Sequence, residues 1–141
     1  MISKIKSHNI GSYLTLEILE SEKVSNFNIV NDFIAEVKKY GVKIAIDDFG
    51  TGFSNYENIL NLNIDYIKID GSLIKKIDED IYLNLIKSIV LFSKQQKIKV
   101  VAEFVSDLKI LRYVKNIGID YSQGYYIGKP TNINELIEEK E

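Results

Sequence analysis

The stretch that decides the fold is Val42-Lys43-Ile44-Ala45-Ile46-Asp47-Asp48-Phe49-Gly50-Thr51-Gly52. Its first half is a nearly continuous apolar run, which is typical of a parallel strand buried on both faces. The run ends at two adjacent carboxylates and a glycine-rich turn. Residues 28–40, which precede it, carry apolar side chains at helical spacing, namely Ile29, Phe33, Ile34 and Val37. The order of helix, buried strand and polar turn predicts an α/β unit.

The same unit recurs along the whole chain of 141 residues. Strands are predicted at residues 13–19, 42–46, 66–69, 99–102 and 119–122. Helices are predicted at residues 28–40, from 54 or 55 to 62, at 80–96 and at 106–117, with a further helix opened by Asn132 and Glu135. This alternation predicts a parallel sheet covered by helices. A doubly wound sheet and a piece of a (β/α)8 barrel both fit it.

Composition narrows the class of protein. Apolar residues make up 45% of the chain and charged residues 27%, which is ordinary for one globular domain. The net charge of −2, with scattered basic residues, argues against binding a DNA or RNA polymer. There is no cysteine, so disulfides and thiolate metal sites are excluded. No apolar run approaches the roughly 20 residues that span a bilayer, and no signal-peptide pattern is present, so the cytoplasm is expected.

Ionisable or amide groups fall at or near the C-terminal ends of the predicted strands. They are Glu17, Asp47 with Asp48, Lys68 with Asp70, Glu103 and Gln123. Barrel enzymes carry their catalytic groups at this face of the sheet. Carboxylates that converge there repel one another unless cations intervene, and Mg²⁺ or Mn²⁺ suits oxygen ligands. Paired cations of this kind serve phosphodiester hydrolysis, because they activate water and stabilise the leaving oxygen.

Several of these residues also have a plainer interpretation. Glu17, like Glu20, would on its own be an exposed edge residue. A pair such as Asp47-Asp48 after a strand more often forms a turn or a helix cap, and Asp70 fits a cap better than a metal ligand. Tyr125 and Tyr126 are more often packing aromatics than groups that stack on a ligand. Lys68 is harder to dismiss, since burying a lysine inside an apolar strand is costly without a partner.

Five segments in order resemble the signature blocks of the EAL domain, a family of cyclic-di-GMP phosphodiesterases built on a modified TIM barrel. They are Leu16-Glu17-Ile18-Leu19-Glu20-Ser21, Asp47-Asp48-Phe49-Gly50-Thr51-Gly52-Phe53-Ser54, Lys68-Ile69-Asp70, Val101-Ala102-Glu103, and Gln123-Gly124-Tyr125-Tyr126 with Lys129-Pro130. The resemblance covers residues 14–130. It implies an α/β fold in which parallel strand–helix units form about five strands of a TIM-like (β/α)8 barrel.

The resemblance also implies the ligands of two divalent cations, Mg²⁺ or Mn²⁺. Glu17 and Asp47 resemble ligands of one cation. Asp47, Asp48 and Glu103 resemble ligands of the other, with Asp47 bridging the two. The implied substrate is cyclic di-GMP, which the family cleaves to linear pGpG.

Other roles follow from the same resemblance. Lys68 resembles the lysine near the nucleophilic water, and Glu103 resembles a general base, a role that competes with activation of the water by the cation alone. Gln123 resembles an active-site amide. Glu20 resembles the glutamate that steadies the loop after Asp48, which the family links to dimerisation.

The chain departs from the family pattern in two ways. The Glu-Ala-Leu segment and the following strand with its metal-binding asparagine do not occur in it, so residues 1–141 are expected to be a single partial EAL domain without its N-terminal strands. The Glu-Gly-Val-Glu block reads Glu103-Phe104-Val105-Ser106. We therefore expect negligible hydrolysis of cyclic di-GMP by the chain alone, and self-association or a partner that supplies strands. A degenerate module that binds the nucleotide or a protein, and an unrelated α/β binding domain, are the alternatives.

Overall fold

The computed structural model describes residues 1–20, 27–50 and 56–132. The helices are α1 (Ile2–His8), α2 (Phe27–Lys38), α3 (Tyr56–Leu60), α4 (Gly71–Ile74), α5 (Asp80–Gln95) and α6 (Leu108–Asn116), with a short 3-10 turn at Gly11–Tyr13. The strands are β1 (Thr15–Leu19), β2 (Lys43–Phe49), β3 (Tyr66–Ile69), β4 (Lys99–Ala102) and β5 (Tyr121–Ser122). In this described part, no helix is both long enough and apolar enough to cross a membrane.

The strands form one parallel sheet in the order β1-β2-β3-β4-β5. The central strands are buried on both faces, which explains their apolar runs: Ile44, Ala45 and Ile46 of β2 are all nearly inaccessible to solvent. Ile67 and Ile69 of β3 are fully buried beside them. The predicted α/β fold with five parallel strands is confirmed.

The helices pack on the sheet through isoleucine-rich faces. Three apolar side chains of α5 are buried against it, Ile86, Ile89 and Val90. Around them lies one core cluster that includes Phe49, Ile67, Ile74 and Val100. This core holds the C-terminal ends of β2, β3 and β4 in fixed positions, and that edge of the sheet carries the candidate site.

Several element ends differ from the sequence-based prediction. Helix α6 begins after Asp107 rather than Ser106, because the Asp107 carboxylate accepts a hydrogen bond from the Ile110 N–H at 2.9 Å. Strand β5 is shorter than predicted, since the Ile119 N–H still donates to the Val114 carbonyl of the preceding helix. Asp70 caps α4 by accepting from the Ser72 N–H at 2.8 Å, so its predicted capping role is confirmed.

Two further predictions concern residues outside the described ranges. The proposed helix start at residue 54 or 55 is one of them. The capping box is the other, because its residue 135 lies outside these ranges although residue 132 lies inside them.

Candidate active site

A β-bulge at the end of β2 places two carboxylates together. Ile46 pairs with Ile67 and Phe49 with Ile69, so both Asp47 and Asp48 lie opposite the single residue Lys68. Successive residues of a regular strand point to opposite faces of the sheet. Here Asp48 adopts the left-handed conformation, with φ of 57°, which aspartate tolerates better than most residues. One oxygen each from Asp47, Asp48 and Glu103 consequently lie within 4.8 Å of one another.

The Lys68 ammonium joins side chains from β1, from β2 and from the residue that follows β4. Its Nζ lies 2.7 Å from Asp47 Oδ1, 2.8 Å from Glu17 Oε1 and 3.1 Å from Glu103 Oε1. Burial lowers the pKa of Lys68, but these carboxylate contacts outweigh burial and hold the pKa above its ordinary value. The buried lysine therefore has the partners that its place in an apolar strand required, and it remains a cation.

Asp47 contributes a buried oxygen to the cluster. Its Oδ1 is inaccessible to solvent and forms an ion pair with the Lys68 ammonium at 2.7 Å. One ammonium shared among three carboxylates leaves part of their negative charge uncompensated. Three carboxylate oxygens this close to one another fit a hard divalent cation such as Mg²⁺ or Mn²⁺.

Glu103 follows β4 and is 7% exposed. Burial raises the pKa of this carboxyl above its ordinary value, Lys68 opposes the rise, and the negative charges of Asp47 and Asp48 add to it. A carboxylate with a raised pKa accepts a proton more readily than an exposed one. Glu103 is thus placed to act either as a cation ligand or as a base.

Glu20 secures the chain where β2 ends. Its Oε2 accepts a hydrogen bond from the Gly50 N–H at 2.9 Å, and its own N–H donates to the Asp47 carbonyl at 3.1 Å. It therefore fixes both sides of the aspartate pair. The loop that the resemblance assigns to it, residues 51–55, lies outside the described ranges.

Gln123 and the loop after it close the other side of the site. The Gln123 carbonyl accepts from the Val105 N–H at 3.0 Å, and the Tyr126 N–H donates to the Val105 carbonyl at 3.1 Å. A Cβ on Gly124 would lie 2.3 Å from the backbone N and O of Val105, so only glycine permits this approach. Glu103, Gln123 and Tyr125 line the resulting cavity of about 660 Å³.

The aromatic pair after Gln123 does not pack as expected. Tyr125 is 70% exposed and Tyr126 is 46% exposed. The Lys129 ammonium lies 5.9 Å from the centroid of the Tyr125 ring, and both residues face the cavity. The expectation that these tyrosines are packing residues is wrong for Tyr125.

Sequence reasoning also missed Phe104, which it treated only as a lost glycine. Phe104 has φ of 54°, a left-handed conformation that costs a side-chain-bearing residue roughly 1–2 kcal/mol. It is 57% exposed, and the Lys75 ammonium lies 4.9 Å from its ring centroid. A Cβ on Gly71 would lie 2.3 Å from Phe104 Cδ2, so Gly71 leaves the space that the ring occupies. In the sequence, the only available sign of this contact was the presence of a glycine at position 71 together with a phenylalanine at position 104.

A parallel α/β sheet with acidic residues and a lysine at its carboxyl edge defines the class, and comparisons with known proteins define the family. The EAL domain profile matches residues 1–130. The chain belongs to the EAL domain family. The chain is 42% identical over 121 residues to the cyclic di-GMP phosphodiesterase PdeA of Borreliella burgdorferi, a match that covers 85% of this chain and 18% of that protein. It is 38% identical over 129 residues to the cyclic di-GMP phosphodiesterase PdeF of Escherichia coli, covering 91% of this chain and 17% of that protein.

Solved structures agree with this assignment. The EAL domain of Mycobacterium smegmatis DcpA superposes with a TM-score of 0.90 at 25% identity, covering 98% of this chain and 63% of that one. The PaMucR phosphodiesterase in complex with c-di-GMP gives a TM-score of 0.85 at 27% identity, covering 95% and 55%. Klebsiella pneumoniae BlrP1, solved with manganese and cyclic di-GMP, gives 0.79 at 26%, covering 88% and 32%. The predicted five strands of a TIM-like barrel are confirmed, and the chain spans about a third to two thirds of these structures.

Proposed function

We propose that this chain carries the catalytic carboxylates of a cytoplasmic cyclic-di-GMP phosphodiesterase, which adds water across one phosphodiester bond to give linear pGpG. Residues 1–141 would form a single partial EAL domain. The observation that carries the proposal is the bulge, because it gathers one oxygen each of Asp47, Asp48 and Glu103 within 4.8 Å of one another, beside the single ammonium of Lys68. The proposed substrate is inferred from the relatives that are described as cyclic di-GMP phosphodiesterases.

Asp47, Asp48 and Glu103 are the residues that would hold a Mg²⁺ or Mn²⁺ ion. Asp47 with Glu17 would contribute to a second one, although Glu17 reaches the cluster only through Lys68. When bound, such cations polarise the phosphate and lower the pKa of water. Carboxylate ligands of this type suit manganese, which is the cation described in the BlrP1 complex.

The chain's own groups would then handle the charge and the proton. Lys68 stays protonated and is placed to orient the attacking water or to offset charge on the phosphate. Glu103 is placed to accept the proton that the water loses on attack, since its pKa is raised. The Gln123 amide lies on the same cavity and offers a donor to a phosphate or a base.

A binding module without catalysis is the second candidate. Ser106 stands where the family pattern has a second glutamate, and its hydroxyl donates to Asp107 Oδ2 at 3.1 Å, beside the cap of α6. Of the family's second-cation ligands, this polypeptide contains Glu17 and Asp47 alone. A cation held mostly by water binds weakly. We accordingly expect the 141-residue polypeptide to hydrolyse cyclic di-GMP negligibly.

Calorimetry with Mn²⁺ tests the cation half of the proposal. The wild type should bind one ion, and Asp47→Asn should lose that binding because it removes a charged ligand from the bulge. Asp78→Asn is the matched control, since Asp78 forms an exposed ion pair with Lys109 and is not one of the candidate ligands. Equal heats of Mn²⁺ binding for the wild type and Asp47→Asn would contradict the proposed cation site.

Product analysis separates enzyme from binder. Conversion of cyclic di-GMP to pGpG that Glu103→Gln abolishes indicates an enzyme. Saturable nucleotide binding with no product over hours indicates the binding module. Absence of both binding and product would contradict the proposed function altogether.

A further inference from the structure

Phe104 combines a strained backbone with an exposed ring. It directly follows Glu103, and its φ of 54° is unfavourable for any residue with a Cβ. The ring gains little from burial, because the residue is 57% exposed. Its neighbours nevertheless fit it closely, since Gly71 leaves the space beneath it. A strained, exposed aromatic that its surroundings hold in place is a candidate for ligand contact.

The surroundings of the ring match a nucleotide. Phe104 lines the same cavity as Glu103 and Gln123, and Lys75 lines it too. The Lys75 ammonium lies over the ring at 4.9 Å from the centroid. An aromatic face offers stacking to a purine, and a nearby ammonium offers charge to a phosphate. Both groups are therefore present on one wall, next to the candidate catalytic glutamate.

We propose that Phe104 is the stacking platform for one guanine base of cyclic di-GMP and raises the affinity of this chain for its ligand. The base takes the ring face that Lys75 covers in the free protein, and the released ammonium moves to a phosphate oxygen. The inference rests on the proposed binding of cyclic di-GMP. It adds a contact that glycine, the residue of the family pattern at this position, does not offer.

Calorimetric titration of the 141-residue chain with cyclic di-GMP in the presence of Ca²⁺ tests the platform. Phe104→Gly should weaken binding about tenfold, in keeping with the effect of removing one base–aromatic stack. Phe104→Leu, which keeps apolar bulk without a π-face, should weaken it similarly, and Phe104→Tyr should retain the wild-type affinity. The thermal midpoint of Phe104→Gly should not fall, because glycine relieves the left-handed strain.

Lys97→Gly is the matched control. Lys97 is exposed, has φ of 60° and precedes the same strand that Phe104 follows, so the substitution relieves similar strain at the opposite end of β4. It should leave the affinity unchanged. Equal affinity in the wild type and Phe104→Gly, or an equal loss in Phe104→Gly and Lys97→Gly, overturns the platform alone. No binding by the wild type overturns the proposed ligand together with the platform.

Discussion

Asp65 and Asp120 occupy equivalent positions in two neighbouring strand pairs. Asp65 precedes β3 and accepts a hydrogen bond from the Ile44 N–H of β2 at 2.8 Å. Asp120 precedes β5 and accepts from the Val100 N–H of β4 at 2.9 Å. Each also pairs with the lysine that opens the preceding strand, Lys43 at 3.5 Å and Lys99 at 2.7 Å. The two aspartates therefore stabilise strand pairing at the end of the sheet opposite the candidate active site.

This arrangement predicts a loss of stability in acid. Burial raises the pKa of Asp65, but the Lys38 ammonium and the Ile44 N–H outweigh it and hold the pKa below the unfolded value near 3.8. The pKa of Asp120 is lowered in the same way, with Lys99 and the Val100 N–H opposing burial. A lowered folded-state pKa gives stability that is complete above the unfolded pKa and is lost as the pH falls through the folded value.

Urea unfolding between pH 7 and pH 2.5 measures that loss. Asp65→Asn should lower the free energy of unfolding by about 1–3 kcal/mol at pH 7, and the difference from the wild type should shrink below about pH 4. Asp78→Asn is the control, because its ion pair with Lys109 is exposed and screened. A difference between the wild type and Asp65→Asn that stays constant across the pH range would contradict the assignment.

The contacts of Lys68 predict how the Mn²⁺ affinity of the candidate site changes when the lysine charge is removed. Its ammonium contacts Glu17, Asp47 and Glu103 and so competes with any cation for the same oxygens. Removing a unit positive charge that contacts the candidate ligands should tighten the binding of a divalent cation roughly tenfold or more, even with strong solvent screening. Lys68→Met should therefore bind Mn²⁺ more tightly while it loses any turnover.

Calorimetry on Lys68→Met and Lys99→Met checks this charge effect. Lys99 pairs with Asp120 at the opposite end of the sheet, so its removal should leave the Mn²⁺ affinity unchanged. Weaker binding of Mn²⁺ by Lys68→Met would show instead that the ammonium organises the ligands.

The sheet edges predict self-association of the 141-residue polypeptide. β1 and β5 are the outer strands of the described sheet, and each carries a large exposed apolar side chain, Leu19 at 42% and Tyr121 at 51%. Unpaired strand edges template pairing with another chain, and an edge lysine opposes it. Light scattering should show a mass above the monomer at high micromolar concentration. Leu19→Lys should reduce that mass, whereas Leu91→Lys on the exposed face of α5 should not.

Strand-end polarity was enough to predict where the site lies but not its shape. Glu17, Asp47, Lys68, Glu103 and Gln123 were placed at one edge from the sequence, and the structure brings them to that edge. The bulge that turns Asp48 toward Asp47 was not predicted, because the left-handed conformation leaves no pattern in a single sequence beyond the tolerance of aspartate for it.

The sequence contains a short repeat that marks the shared role of Asp65 and Asp120 in strand pairing. The tripeptide Ile-Asp-Tyr occurs at residues 64–66 and again at residues 119–121. In the structure the two tyrosines, Tyr66 and Tyr121, form an edge-to-face pair with ring centroids 6.0 Å apart. A search for short repeats at strand starts would have found the pair, whereas strand-end analysis looks at the other edge.

Gly71 and Phe104 form a contact that a double-mutant cycle can isolate. Gly71 is the first residue of α4, where alanine is ordinarily better than glycine by about 0.5–1 kcal/mol. In this chain an added Cβ would lie 2.3 Å from Phe104 Cδ2 and 2.7 Å from Phe104 Cβ. The ring cannot move away by rotation alone, because the second of these atoms is fixed to the backbone.

We therefore expect the effect of Gly71→Ala to change sign with the residue at position 104. In the wild type it should lower the free energy of unfolding by about 1–3 kcal/mol through overpacking. In the Phe104→Gly background it should raise that free energy by roughly 0.5 kcal/mol, since the helix gains propensity and the clash is gone. Urea unfolding of the four proteins gives the coupling energy, which should exceed about 1 kcal/mol. Additive effects would mean that Phe104 does not rest on Gly71, and the ring would then lack the support that a stacking platform requires.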